Sequence, residues 1–143
     1  STTDGTTFTL NDGVHPAVVF EFDADPDPGT FTAGNVRVNL TNGGGNATDV
    51  ADNVRTAING LPSTTLAITA GGTTATVTLT NDAQGTFGNQ TITTTLVTTG
   101  YSVSGMSGGR GRDCAATTGC ASTNDCAPGL TCQPGVGGAL TCQ

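Results

Sequence analysis

Lysine and tryptophan are absent from this 143-residue chain, and histidine, tyrosine and methionine occur once each. Positive charge is confined to four arginines against 11 acidic groups, for a net charge of −7. So little cationic surface excludes nucleic acid and anionic membranes as partners, because that binding rests on Lys and Arg displacing condensed counterions. No apolar run approaches the roughly 20 residues of a membrane span. Charged residues make up only 10% of the chain, against about a quarter in ordinary domains, so hydroxyls and amides must keep the surface wet. Cysteine is missing before Cys114, and the 22 glycines have no collagen period.

What the chain has instead is threonine, 30 residues of it. Threonine is β-branched and polar, and so suits the outer face of a strand. From Thr6 to about Val103 apolar residues alternate with polar ones: Phe8 and Leu10; Val18, Phe20 and Phe22; Val36, Val38 and Leu40; Leu66, Ile68 and Ala70; Ala75, Val77 and Leu79; Ile92, Thr94 and Leu96. Period-two alternation predicts half-buried strands in antiparallel sheets. With 34% hydrophobic residues, there is material for one modest core.

Two turns test the register. A two-residue hairpin at Gly71-Gly72 sets Ile68 opposite Ala75 and Leu66 opposite Val77, which puts both apolar sets on one face. At Asn11-Asp12-Gly13 only an odd-length loop keeps Phe20 on the face of Phe8 and Leu10. A three- or five-residue turn is expected there, with His15 and Pro16 at its exit. Period two breaks from Thr48 to Asn59, where Val50, Val54, Ala57, Ile58 and Leu61 recur at helical spacing. Thr48 is the expected N-cap, Asp49 and Asp52 suit the first turns, and Gly60 then Pro62 supply the stop.

The sequence therefore predicts a mainly β, sandwich-like fold of order β-β-β-α-β-β-β with one short helix, plus a small disulfide-stapled C-terminal tail. The expected units are a β-rich domain over 1–104, a Gly/Arg linker over 105–112, and a cysteine-rich unit over 113–143.

Cys114, Cys120, Cys126, Cys132 and Cys142 are separated by five, five, five and nine residues, with no C-x-x-C and no nearby histidine. That spacing favours disulfides over zinc, and disulfides place the protein outside the cytoplasm. Two bridges use four cysteines, and Cys114 is the candidate for an intermolecular bond or a free thiol. The connectivity stays open. The stretch that opens at Ser1 is polar and Thr-rich, without the charged and apolar regions of a signal peptide, and a mature form is expected.

Asp23, Asp25 and Asp27 alternate in an oxygen-rich stretch, which a calcium ion accepts. The competing reading is a solvated acidic loop, because Pro28 stands where an EF-hand-type loop needs glycine. Calcium is the cofactor this acidic pattern could take. Gly105-Met106-Ser107-Gly108-Gly109 fits G-x-S-x-G, yet an Arg/Gly stretch follows in place of a helix and the single histidine lies far upstream. His15 reads as a surface residue of a turn. No paired catalytic groups converge, and an enzyme is not expected. Asn39-Leu40-Thr41, Asn46-Ala47-Thr48 and Asn89-Gln90-Thr91 are glycosylation triplets of the kind a Thr- and Asn-rich chain produces by chance.

The runs Asp4-Gly5-Thr6-Thr7-Phe8-Thr9-Leu10-Asn11-Asp12-Gly13 and Val19-Phe20-Glu21-Phe22-Asp23, the helix from Ala47 to Asn59, and Gly85-Thr86-Phe87-Gly88-Asn89-Gln90-Thr91-Ile92 resemble β-rich modules repeated in secreted bacterial surface proteins and phage virion proteins. The likeness covers about residues 4–105. The tail from Gly119-Cys120 through Asp125-Cys126 to Gly129-Leu130 and Cys132 is similar to small disulfide units of secreted myxobacterial-type proteins. The resemblance implies structural, adhesive or assembly roles and carries no catalytic residues.

The expected function is a secreted structural subunit that self-assembles with copies of itself into an extracellular filament or surface coat. Threonine-rich strand edges without lysine suit strand addition, the segment carrying Phe8 and Leu10 is the candidate donated strand, and Cys114 is the candidate covalent lock. The alternative is an adhesive or carbohydrate-binding module of a larger secreted protein, with a carbohydrate or a cell surface as its partner. The aromatic supply for sugar stacking is thin, since Phe8, Phe20, Phe22 and Phe87 are expected in the core and Tyr101 is left as the exposed ring.

Overall fold

A computed structural model describes residues 4–25, 27, 31–41, 45–82, 86–109, 131–134 and 140–142. Among these the chain forms strands β1 (Thr7–Leu10), β2 (Val18–Asp23) and β3 (Val36–Asn39), helix α1 (Ala47–Asn59), strands β4 (Ile68–Gly71) and β5 (Thr78–Asn81), a short 3-10 turn (Thr86–Gly88), and strands β6 (Thr93–Thr94), β7 (Cys132–Pro134) and β8 (Leu140–Cys142). The fold is mostly β with one helix. The largest sheet has the order β3-β2-β1-β6, while β4 pairs with β5 and β7 with β8.

Alternation sets the faces of this sheet. Phe8 lies opposite Phe20 and Leu10 opposite Val18, and the Phe8 and Phe20 rings stack 4.8 Å apart. The loop between them spans 11–17, odd in length as the phase of the apolar residues demands, but longer than the three or five residues expected. β2 and β3 run parallel, with Phe20 opposite Val36 and Phe22 opposite Val38. This corrects the expectation of a purely antiparallel sheet. Alternation fixes which side chains share a face and leaves strand direction open, and the connection over 24–35 is long enough to carry the chain back to the start of β2.

The helix begins one residue before the expected cap. Asn46 is the N-cap: its Oδ1 accepts from the Asp49 amide at 3.0 Å and its Nδ2 donates to Asp49 Oδ2 at 2.7 Å. Two reciprocal bonds outcompete Thr48, which sits inside the first turn. Ala51 and Ile58 are buried, while Val50, Val54, Ala57 and Leu61 pack beside them. One cluster joins Ile58 to Phe8, Leu10, Phe20, Phe22 and Val38 of the sheet and to Leu66, Ile68 and Ala70 at β4. Each fully buried side chain of this size contributes about 2–3 kcal/mol of transfer free energy. Phe8 and Leu10, 5% and 1% exposed, belong to this core, and β1 is paired on both edges by its own chain. The strand read as the one donated to a neighbour is therefore already used within the subunit.

At the second hairpin Ile68 pairs with Asn81, Ala70 with Leu79 and Gly71 with Thr78. The predicted face survives, because even positions of β4 still meet odd positions of β5, but the register differs. The loop is 72–77, and Gly71 belongs to the strand. Arg55 of α1 holds this wider loop through the Thr76 carbonyl at 2.8 Å and the Thr74 carbonyl at 3.3 Å, contacts a tight Gly-Gly turn could not offer. Gly72 has φ +99°, and a Cβ there would lie 2.4 Å from the Thr76 oxygen, whereas nothing lies within 4 Å of one at Gly71.

The stretch read as the start of a linker is fastened to the domain. The Met106 amide donates to the Gln90 carbonyl at 2.9 Å, the Asn89 side chain bonds the Gly109 backbone in both directions at 2.8 and 3.1 Å, and Met106 packs on the core.

The two glycines give a test of the register. Gly72→Ala should lower stability by about 2 kcal/mol or more, and Gly71→Ala should stay within about 0.5 kcal/mol of the parent, as read by urea unfolding. Equal losses at both would support the tight Gly-Gly turn instead.

Candidate functional site

The most concentrated polar constellation lies in the β1–β2 loop. Asp12 is fully buried, and its carboxylate takes four bonds. Oδ1 accepts from the amides of Val14 at 2.8 Å and His15 at 2.7 Å, while Oδ2 accepts from the His15 ring Nδ1 and the Ala67 amide, both at 2.7 Å. The first two arise locally, because an aspartate ahead of a glycine folds its own oxygen onto the next amides. The Ala67 bond is long-range and ties the loop to the approach to β4. Asn81 completes the joint by donating to the Asp12 carbonyl at 2.9 Å. Gly13, at φ +82°, presses against the 3-10 turn so closely that a Cβ would lie 2.1 Å from the Phe87 oxygen.

Burial works to raise the Asp12 pKa, but the amides of His15 and Ala67, the His15 ring and the Val14 amide outweigh it and hold the carboxyl well below the usual carboxylate range. An ionised carboxylate only accepts, so the proton of the short bond sits on His15 Nδ1. In the neutral form of the ring the lone pair is then on Nε2. With 28% of the His15 side chain exposed, the pair has the orientation used to position a proton acceptor or a metal ligand. Among the described residues no group of three His, Cys, Asp or Glu side chains assembles to hold a metal. Sequence reading placed His15 on the surface and Asp12 in a turn; the Asp-Gly-x-His spacing was the visible signal, and the Ala67 partner had none.

A second buried polar group occupies the other face of β2. Glu21 and Asp23 are 5% and 2% exposed, although alternation puts them on the wet side. Thr32 and Asn35 bond Glu21, and the Asp25 amide and Arg37 bond Asp23. Glu21 accepts from the Thr32 amide through both oxygens at 3.2 Å and from Asn35 Nδ2 at 2.5 Å. Burial raises its pKa, the bonds from Asn35 and Thr32 lower it further than burial raises it, and the nearby Asp23 charge opposes them, leaving the carboxyl below its ordinary value.

Asp23 Oδ2 is paired with Arg37 Nε, and Arg37 Nη2 reaches the Asp25 carbonyl at 2.9 Å. Asp23 and Asp25 each accept, through Oδ1, the amide two residues on, at 2.9 Å. The calcium candidate Asp23, Asp25 and Asp27 is thus drawn into backbone turns, with a guanidinium already beside Asp23.

The remaining candidates scatter. Phe87, expected in the core, is 39% exposed, and Val14 is 44% exposed. Tyr101, expected to be exposed, is half-buried; burial raises its phenol pKa, and a hydrogen bond to the Thr94 side chain partly opposes this. Gly105 to Gly109 lies in neither helix nor strand, so the strand-to-helix turn that a nucleophile elbow needs is not formed there. Cys132 stands opposite Cys142 in the β7–β8 register, while Cys114, Cys120 and Cys126 lie outside the described residues. In comparisons with known proteins, the chain matches no protein-family model, no curated protein and no solved structure.

Replacing Asp12 with asparagine turns one acceptor into a donor facing donors. Asp12→Asn should cost about 2–4 kcal/mol at pH 7. The folded carboxyl of Asp12 binds its proton more weakly than the unfolded one, so its contribution is whole above about pH 4 and is lost as pH falls below that. Urea titrations at pH 7 and pH 3 should therefore show a smaller acid loss in the variant than in the parent. The acid dependence that remains should include Glu21, which shifts in the same direction.

Proposed function

We propose that this mostly β, sandwich-like domain is a secreted structural subunit that assembles with copies of itself into an extracellular filament or surface coat. The observation that carries the reading is a strand edge without a guard. Natural sheets protect their edges with Lys, Pro or bulges, whereas this chain has no lysine at all, and β5 carries Thr78, Leu79, Thr80 and Asn81 with neither charge nor proline. Strand addition satisfies such an edge by main-chain bonds that require no particular side chain. The cysteine-rich tail supports an oxidising location. With an odd cysteine count, Cys114 is the residue proposed to join neighbours covalently.

One observation favours a second reading, an adhesive or carbohydrate-binding module. Phe87 is partly open to solvent while its backbone rests against Gly13, and an exposed aromatic side chain suits sugar stacking.

Negative-stain electron microscopy of native material, never exposed to reductant, should show regular filaments or sheets. Dispersed small particles at micromolar concentration would overturn the assembly reading. Non-reducing gels should show a covalent dimer that collapses on reduction and is lost in Cys114→Ser; a monomer with one alkylatable thiol would remove Cys114 from the joint.

A further inference from the structure

The polar edges of this fold differ in how they are closed. The outer edge of β4 is capped by the helix: Asn59 Nδ2 donates to the Ala70 carbonyl at 2.9 Å and Asn59 Oδ1 accepts from the Ala70 amide at 2.8 Å. The side-chain amide takes the place of another strand. Ahead of β6 the chain returns alongside Asn89 and Gln90, with the Met106 amide on the Gln90 carbonyl and Gly109 clasped by Asn89. β3 carries Arg37, an edge charge of the kind that discourages strand addition.

β5 has none of these. Because the Ala70 amide and carbonyl both turn away from β5 toward Asn59, Ala70 and Leu79 form a non-hydrogen-bonded pair. The Leu79 N–H and C=O therefore also point away from β4, out of the sheet. No backbone bond outside the strand ladders reaches Leu79 among the described residues.

We propose that this edge pairs antiparallel with the same edge of a second copy of the chain, about a two-fold axis at Leu79. The inference rests on the self-assembly reading and specifies its joint. Leu79 would exchange two N–H···O bonds with the partner's Leu79, as a hydrogen-bonded pair does. In that register Thr78 faces the partner's Thr80 and Thr80 faces the partner's Thr78. Both threonines are exposed in the single chain, and Thr–Thr pairs are favourable across strands. On the other face Leu79, only partly covered in the single chain, meets the partner's Leu79, and Val77 stands opposite the partner's Asn81.

The edge thus complements itself in hydrogen bonding, in its threonine pairs and in the central Leu79 pair, and it brings no charges together. A second copy fits it better than a peptide of unrelated sequence, whose side chains carry no such match. The contact is isologous, so it closes a pair and uses up the edge. Growth beyond the pair then needs a different joint, the role proposed for Cys114.

The test compares hydrogen exchange of assembled and dissociated full-length protein, read at peptides covering 77–82, with the exposed-edge variant Thr80→Lys and the exposed-loop control Thr64→Lys. Pairing predicts that exchange at Leu79 slows at least about tenfold on assembly. It also predicts that Thr80→Lys, with an unchanged urea midpoint, sediments as a non-covalent monomer under reducing conditions while Thr64→Lys still dimerises. Filaments in which Leu79 exchanges as fast as in the monomer would overturn the β5 joint and leave self-assembly standing. A parent that sediments as a monomer at every concentration would overturn both. Protection at Leu79 that appears only when an unrelated extended peptide is added would also overturn the two-copy joint. Should Thr80→Lys fail to fold, the exchange of the parent alone decides.

Discussion

A single buried carboxylate holds the two halves of this domain together. Asp12 draws its own loop tight through Val14 and His15, reaches Ala67 ahead of β4, and offers its carbonyl to Asn81 at the end of β5. A charge fully out of water is costly unless every lone pair is used, and here four donors use them. The cost of losing one donor makes the arrangement specific: the loop, the entry to β4 and the end of β5 must arrive together or the carboxylate is stranded. In a chain with so few charges, one ion placed this way constrains more of the structure than any surface pair. The Asp52–Arg55 pair on α1, with Asp52 largely in solvent, has far less to lose.

The faces of the strands were legible in the sequence because alternation is a direct image of burial. Phe8, Leu10, Phe20, Phe22, Val38, Leu66, Ile68 and Ala70 all lie in the core that their spacing placed them in. What alternation does not encode is direction and register. β2 and β3 keep their apolar residues on one face yet run parallel, and the β4–β5 hairpin keeps its parity while Arg55 holds a wider loop. The polar clusters were least legible. Glu21 and Asp23 follow the polar phase of β2, yet they are buried with partners at Thr32, Asn35 and Arg37, an arrangement no local pattern records. Asp12 reads as a turn residue because it is one; its bond to Ala67 spans 55 positions.

Threonine serves this fold in more than one way. On exposed strand positions it replaces charge as the source of solubility. At β6 it becomes part of the ladder: the Thr7 amide bonds the Thr95 hydroxyl at 2.8 Å, while Thr94 donates its hydroxyl to the Thr7 carbonyl at 3.0 Å. Side chains thus complete a pairing that the short strand leaves unfinished. The same substitution of hydroxyl for charge leaves the β5 edge without an electrostatic guard.

The geometry of that β1–β6 ladder bears on how such a subunit would carry load. β1 and β6 are antiparallel, with Phe8 facing Thr94 and the Thr95 amide bonded to the Thr7 carbonyl. The chain therefore enters β1 and leaves β6 at the same end of the pair. Tension applied between Thr6 and Leu96 pulls these strands apart like a zipper, loading the Thr7 bonds first and the next only after they break. Strands drawn in opposite directions along their length would instead share the force among all their bonds. Pulled between those two points the β1–β6 pair opens from the Thr7 end one bond at a time, whereas tension arriving from beyond Gly109 meets the Asn89–Gly109 and Gln90–Met106 bonds first.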